Sequence, residues 1–145
     1  MEEEKARFIH ALLSKSPDVI ASLWIINRTP IIFSDDHESF IDWKHTLANL
    51  LDVDPSSLVI TGSSVFGVSL NPNKNYKFFD KRSDIDIAVI SEHHFNVGWR
   101  TLRNLGSKIH GLTPTAKQSV HDHVNMYIYW GTIATDKILH LMPFG

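Results

Sequence analysis

Residues 58–64 read Leu58-Val-Ile-Thr-Gly-Ser-Ser64, and residues 82–90 read Arg82-Ser-Asp-Ile-Asp-Ile-Ala-Val-Ile90. The first stretch predicts a short apolar strand that ends in a Gly-Ser-Ser turn and opens a short helix. The second stretch predicts another strand, rich in Ile and Val, that carries Asp84 and Asp86. Because side chains alternate across a strand, we expect both carboxylates on one face and the intervening apolar side chains on the other.

The paired carboxylates predict a divalent-cation site. Two like charges side by side repel each other, and they lose solvation on a half-buried sheet. A divalent cation offsets that cost, and Mg²⁺ suits carboxylate oxygens while it keeps waters and substrate phosphates as its other ligands. We therefore predict that Asp84 and Asp86 bind Mg²⁺ or Mn²⁺.

The turn at residues 62–64 predicts a phosphate site next to that cation. Gly62 permits a tight turn and a close approach of the backbone to a ligand. Ser63 or Ser64 can cap the following helix, whose unpaired N–H groups and dipole favour an anion. An anion-binding turn beside two carboxylates suits a Mg-bound triphosphate better than a carboxylate or a sugar.

Taken in order, these residues resemble the DNA polymerase β-like nucleotidyltransferases, in particular the small bacterial nucleotidyltransferase-domain type. The family signature is a Gly-Ser turn that opens a helix, followed by an Asp-x-Asp strand that is usually written Ser-Asp-Ile-Asp. The corresponding segments here are Gly62-Ser63, with Gly67 further along the helix, and Ser83 to Asp86. The resemblance covers about residues 57–91.

The resemblance implies an α/β (α+β) fold of the nucleotidyltransferase type, with a small mixed β-sheet flanked by helices. It also implies Mg-dependent transfer of a nucleoside monophosphate from a nucleoside triphosphate to an acceptor hydroxyl. The acceptor class stays open: a protein, an RNA end, a small molecule or another nucleotide. Asp84 and Asp86 would be the catalytic, metal-binding residues, and Gly62, Ser63 and Ser64 would hold the phosphates.

The chain departs from the family pattern in two places. Residues 71–82 form an extended polar loop between the turn and the Asp-x-Asp stretch, and we expect Lys81 or Arg82 to assist at the phosphates. A solvated basic loop is the alternative. The family's third carboxylate normally lies on a later strand, and the alternation at residues 123–130 predicts such a strand. Its polar face offers Asn125 and no aspartate, so the third carboxylate is not located.

The rest of the chain predicts a single domain over residues 1–145. Apolar periodicity predicts a helical N-terminal layer over residues 1–51, including a third helix with a capping box that begins at Asp35, and a sheet core over residues 57–145. Ser91 is expected to cap a helix that runs to about residue 110. The apolar end of the chain, residues 138–145, suggests the N-terminal part of a longer protein.

Composition limits the function classes. A hydrophobic content of 43% and a charged content of 21% describe a globular protein and exclude a disordered one. The net charge of −2 gives no overall attraction to nucleic acid, and the absence of cysteine excludes disulfides and thiolate metal sites. No stretch reaches transmembrane length, so we expect a cytoplasmic protein without a membrane partner. The nine histidines show no ligand spacing that predicts a zinc site.

Two other function classes remain open. A catalytically inactive nucleotide-binding module, such as an antitoxin-like regulatory subunit, would keep the pocket and lack the third carboxylate. A nucleic-acid-binding domain would instead use the basic loop, and it would show a steep salt dependence with little need for Mg²⁺.

Overall fold

A computed structural model describes residues 2–34 and 36–141 of the chain. The chain divides into two compact units, Met1–Ile90 and Ser91–Gly145. The boundary falls within the segment 57–145 that the sequence predicts as one sheet core. The predicted helix start at Asp35 and the last four residues of the apolar C-terminal stretch lie outside the described residues.

The first unit begins with helices. Helix α1 spans Glu2–Ser14, α2 spans Pro17–Ala21 and continues as a π-helical turn over Ser22–Ile26, and α3 spans His37–Leu51. Short 3₁₀ turns at Ile31–Phe33 and Pro55–Ser57 flank α3. These bounds confirm the predicted helical N-terminal layer. The cap of α3 is Asp36, whose carboxylate accepts the Ser39 N–H at 2.8 Å.

An aromatic cluster forms the core of this helical layer. Phe8 on α1 is buried against Trp24, with ring centroids 5.0 Å apart in an edge-to-face arrangement. Phe8 also packs on Phe66, at 4.9 Å, and Phe66 follows the Gly-Ser-Ser turn. Because edge-to-face and tilted aromatic pairs add to the burial term, these contacts fix α1 against the turn that carries the candidate site.

The sheet has two antiparallel strands, β1 at Leu58–Thr61 and β2 at Asp86–Val89. The helix α4 spans Ser63–Phe66, between the strands. The predicted strand β1 and the helix after it are confirmed, and the chain is of the α+β class. The predicted mixed sheet is wrong for the described residues, since their one sheet is antiparallel.

Strand β2 is shorter than predicted, because it begins at Asp86 and not at Asp84. The pairing register ends with Thr61 opposite Asp86. Asp84 therefore precedes the paired region, and the alternation rule does not fix its side. The predicted apolar face of β2 is also only partly buried: Ile87 is half-buried, whereas Ile85 is 42% exposed.

The described residues of the second unit form helices joined by turns and irregular segments, without a strand. It contains α5 at Glu92–Asn104, capped by Ser91 as predicted, a 3₁₀ segment at Gly106–Gly111, α6 at Pro114–Asp122, and α7 at Thr135–Ile138. A 3₁₀ turn follows at Leu139–Leu141. Its core consists of Leu102, Val120 and Ile138, one from each of the three α-helices.

The predicted strand at residues 123–130 is wrong. The chain there continues from α6 into a π-helical turn, His123–Tyr127. Thr113 starts α6 by accepting the Ala116 N–H at 3.2 Å, and Pro114 occupies the first helical turn. Because α6 continues past its last residue, residues 123–127 stay helical despite their alternating pattern. The apolar side chains of this stretch therefore do not form a buried strand face, and Val124 is 58% exposed.

His123 is a core residue of this unit. Its ring is fully buried, with Nδ1 2.6 Å from the Ser119 carbonyl oxygen and Nε2 accepting the Ala134 N–H at 3.1 Å. A neutral ring with the proton on Nδ1 satisfies both contacts. Because both nitrogens are engaged, His123 has no lone pair left for a metal.

Candidate functional site

The register of the sheet brings the two halves of the predicted site together. Thr61 ends β1 opposite Asp86, and its hydroxyl lies 3.4 Å from the Asp86 carbonyl oxygen. Gly62 and Ser63 follow Thr61 directly. The residues of the Gly-Ser turn therefore lie next to the first residue of β2, although 22 positions separate Ser64 from Asp86 in the sequence.

Gly62 lies against the Asp86 carboxylate. Its backbone has φ 70° and ψ −156°, a region that only glycine adopts readily. A Cβ at this position would overlap Asp86 Oδ2 and would lie 3.2 Å from Asp86 Cγ. The backbone conformation therefore favours glycine at residue 62, and any larger residue would in addition require the Asp86 carboxylate to rotate away.

The two serines of the turn have different environments. Ser64 is fully buried, and its hydroxyl donates to the Thr61 carbonyl at 3.0 Å. Ser63 is half-buried and lines a cleft beside the turn. Helix α4 has only four residues, so its dipole adds little to anion binding. Ser64 thus stabilises the turn, and Ser63 is the serine that a ligand in the cleft would meet.

The cleft beside the turn has a volume of about 470 Å³, within the range of small-molecule sites. Its lining contains both polar and apolar residues. The polar lining residues are Gly62, Ser63, Ser69, Asn71, Lys74 and Asp86. The apolar lining residues are Phe8, Ile20, Ile25, Phe66 and Leu70. A ligand that carries both a charged group and an apolar group fits this mixed lining.

Asp84, the other predicted metal ligand, is exposed two residues before Asp86 and does not line the cleft. Between residues 2 and 141, Asp35 excepted, no group of three His, Cys, Asp or Glu side chains is close enough to hold a metal ion. A preformed protein cage is therefore not present there. Mg²⁺ needs no such cage when one or two carboxylates share it with substrate phosphates and waters, and Asp86, the carboxylate among the cleft-lining residues, fits that arrangement.

The basic loop is partly neutralised by its own aspartate. Asp80 forms ion pairs with Lys77 at 3.0 Å and with Arg82 at 3.2 Å. The Arg82 N–H, and then the Lys77 and Arg82 side chains, donate hydrogen bonds that hold the pKa of Asp80 well below its ordinary value. Arg82 is thus engaged outside the cleft, and Lys81 is exposed and does not line it either.

Lys74 is the cation that the structure places at the cleft. In the sequence it falls within the extended polar loop 71–82, for which assistance at the phosphates was predicted at Lys81 or Arg82 instead. The pair Asn71-Pro72 predicts a turn just before Lys74. The Asn71 side chain accepts the Asn73 N–H at 2.9 Å, and the 3₁₀ turn Pro72–Lys74 follows.

Comparisons with protein-family models, with curated proteins and with solved structures find no match to this chain. The site therefore has to be interpreted from its own geometry. In the part of the chain that the structure describes, no helix is both long enough and apolar enough to cross a membrane.

Proposed function

We propose that the protein is a Mg-dependent nucleotidyltransferase with a nucleotidyltransferase-like fold. The observation that carries this proposal is the close approach of Gly62 to the Asp86 carboxylate in the lining of a ligand-sized cleft. A turn that only glycine can form, in contact with a carboxylate, brings phosphate oxygens and a carboxylate-bound cation within reach of each other.

Different residues of the cleft bind different parts of a nucleoside triphosphate. Gly62 and Ser63 meet the phosphates, and the apolar wall at Phe8 and Phe66 meets the base. Asp86, assisted by Asp84, would hold Mg²⁺ next to the phosphates. The bound cation supplies neutralisation of the leaving phosphates and activation of the acceptor oxygen.

The proposed reaction transfers one nucleoside monophosphate. The acceptor oxygen forms a bond to the α-phosphorus, the bond from that phosphorus to the β-phosphate oxygen breaks, and pyrophosphate leaves. The hydroxyl proton of the acceptor passes to a carboxylate or to water. The acceptor is a protein side chain, an RNA end, a small molecule or a nucleotide, and we place the reaction in the cytoplasm, where nucleoside triphosphates are supplied.

A second candidate function is a regulatory module that binds the nucleotide and does not transfer it. The observation that favours it is the lack of a three-member acidic cluster in the described residues. Asp122 and Asp136, the aspartates nearest to the predicted third position in sequence, lie in α6 and α7 of the second unit. The two candidates differ in one product, since only a transferase releases pyrophosphate.

Calorimetric titration of ATP and GTP, with and without Mg²⁺, tests the proposal. The double variant Asp84→Asn/Asp86→Asn should abolish Mg-dependent binding. Asp42→Asn is the matched control, because it removes one exposed carboxylate from α3 of the same unit and leaves the cleft unchanged. Equal nucleotide binding by the wild type and the double variant would refute the site. Binding without pyrophosphate release in an acceptor screen would favour the regulatory module.

A further inference from the structure

We propose that Lys74 binds the terminal phosphates of the nucleotide, and that residues 68–78 form a hairpin that positions it. This inference rests on the proposed function and deepens it, because it assigns the preference for a polyphosphate to one side chain. Among the cleft-lining residues of the described chain, Lys74 is the one lysine or arginine. It lines the same cleft as Gly62, Ser63 and Asp86.

Residues 68–78 have the hydrogen bonding of a hairpin. Its two arms are joined by an antiparallel bridge between Val68 and Phe78 and by the Ser69 N–H, which donates to the Lys77 carbonyl at 2.8 Å. At the base of the hairpin, the Phe79 N–H donates to the Gly67 carbonyl at 2.9 Å. The arms therefore leave and return at the end of α4, beside the Gly-Ser turn.

The tip of the hairpin is held in a defined conformation. The Asn71 hydrogen bond fixes the start of the 3₁₀ turn, and the Asn75 N–H closes it on the Pro72 carbonyl at 2.9 Å. Tyr76, next along the chain, places its ring 5.9 Å from Lys5 Nζ on α1. These contacts hold the tip at both ends, and Lys74 lies between them.

Ion pairing distinguishes Lys74 from Lys77 and Arg82. Lys77 and Arg82 are paired with Asp80, so a phosphate would have to compete with that carboxylate for them. A nucleoside monophosphate carries less charge than a triphosphate, and its phosphate is the one nearest the sugar. A cation that contacts the terminal phosphates therefore strengthens binding of ATP and leaves binding of AMP unchanged.

The test compares ATP and AMP on three proteins in the presence of Mg²⁺: wild type, Lys74→Gln and Lys81→Gln. Loss of one charge-assisted contact should weaken ATP binding by Lys74→Gln about tenfold to a hundredfold, with AMP binding within about twofold of wild type. Lys81→Gln, which changes an exposed lysine of the same segment outside the cleft, should match wild type for both ligands.

Three results would overturn the inference: Lys74→Gln binds ATP as tightly as wild type, Lys74→Gln loses ATP and AMP affinity equally, or Lys81→Gln loses as much ATP affinity as Lys74→Gln. Any of these, with Mg-ATP still bound by the wild type, would leave the proposed function intact. Failure of the wild type to bind Mg-ATP would refute the proposed function, so the two failures are distinguishable. A thermal melt of Lys74→Gln confirms that the variant folds.

Discussion

Replacement of Gly62 by alanine tests the contact on which the candidate site depends. Two costs are expected. The backbone at φ 70° and ψ −156° lies in a region that costs an L-residue of order 1–3 kcal/mol. The new Cβ would also overlap Asp86 Oδ2 and lie 3.4 Å from Asp86 Cβ, so the carboxylate has to rotate away. We expect a lower unfolding free energy of the first unit, and an affinity for Mg-ATP reduced by about tenfold or more.

Gly67→Ala is the matched control for this substitution. Gly67 also has a positive φ, 74°, and an L-residue in this left-handed region costs roughly 1–2 kcal/mol. A Cβ there, however, would make only ordinary contact with Ile31, at 3.5 Å, and no contact with a carboxylate. We expect a similar loss of unfolding free energy in urea, with nucleotide affinity close to wild type.

A double-mutant cycle separates strain from contact. In an Asp86→Ala background the overlap with the carboxylate is gone and the backbone strain remains. Gly62→Ala should therefore destabilise that background less than it destabilises wild type, with a coupling free energy of about 0.5–3 kcal/mol. Additive destabilisation to within about 0.5 kcal/mol, together with wild-type Mg-ATP affinity of Gly62→Ala, would refute the argument from the Gly62–Asp86 contact.

Two further predictions concern groups outside the cleft. His123→Leu should destabilise the second unit by about 1–3 kcal/mol in urea denaturation, because the Ala134 N–H loses its acceptor; the exposed His121→Leu is the control, and equal losses would contradict the assigned role. The lowered pKa of Asp80 means that its contribution to stability is complete above the ordinary value of 3.8 and is lost as pH falls below it. Urea denaturation should therefore show that wild type loses stability on acidification below pH 3.8 more steeply than Asp80→Asn, and parallel pH profiles would refute the link.

Local patterns were sufficient to predict the segment around the turn. The apolar run Leu58–Thr61 forms β1 with the predicted bounds, and Gly62 occupies a conformation that glycine alone tolerates. The position of Asp86 beside Gly62 follows from the pairing of the strands. Neither the pairing register nor the start of β2 at Asp86 is encoded in the alternation of side chains, which is why the side of Asp84 was not predictable.

The error at residues 123–130 has a physical cause. Alternation of apolar and polar residues describes a strand only when no stronger signal has already set the backbone. Thr113 and Pro114 provide such a signal, since together they start a helix that continues through His123. The burial of His123 was not predictable from this pattern either, because it depends on the Ala134 N–H eleven residues later.

The cation of the cleft was not predictable from sequence order. Distance along the chain favours Lys81 and Arg82, which precede the Asp-x-Asp stretch. The hairpin at residues 68–78 returns on itself, so a lysine near its tip reaches the cleft while Arg82 pairs with Asp80. The choice between the basic residues of the loop depends on this tertiary arrangement, which the composition of the loop does not specify.

The short second strand also has a consequence for handling the protein in solution. In the described residues β2 pairs with β1 alone, and Ile90, just past its end, is 67% exposed. An exposed strand edge with apolar side chains favours strand pairing between molecules, and negative charges at its start oppose it by mutual repulsion. Asp84 and Asp86 are both exposed at the start of β2, so we expect their double substitution to raise the tendency to self-associate. Light scattering by the double variant, at the protein concentration of the titration, distinguishes loss of the ligand site from aggregation.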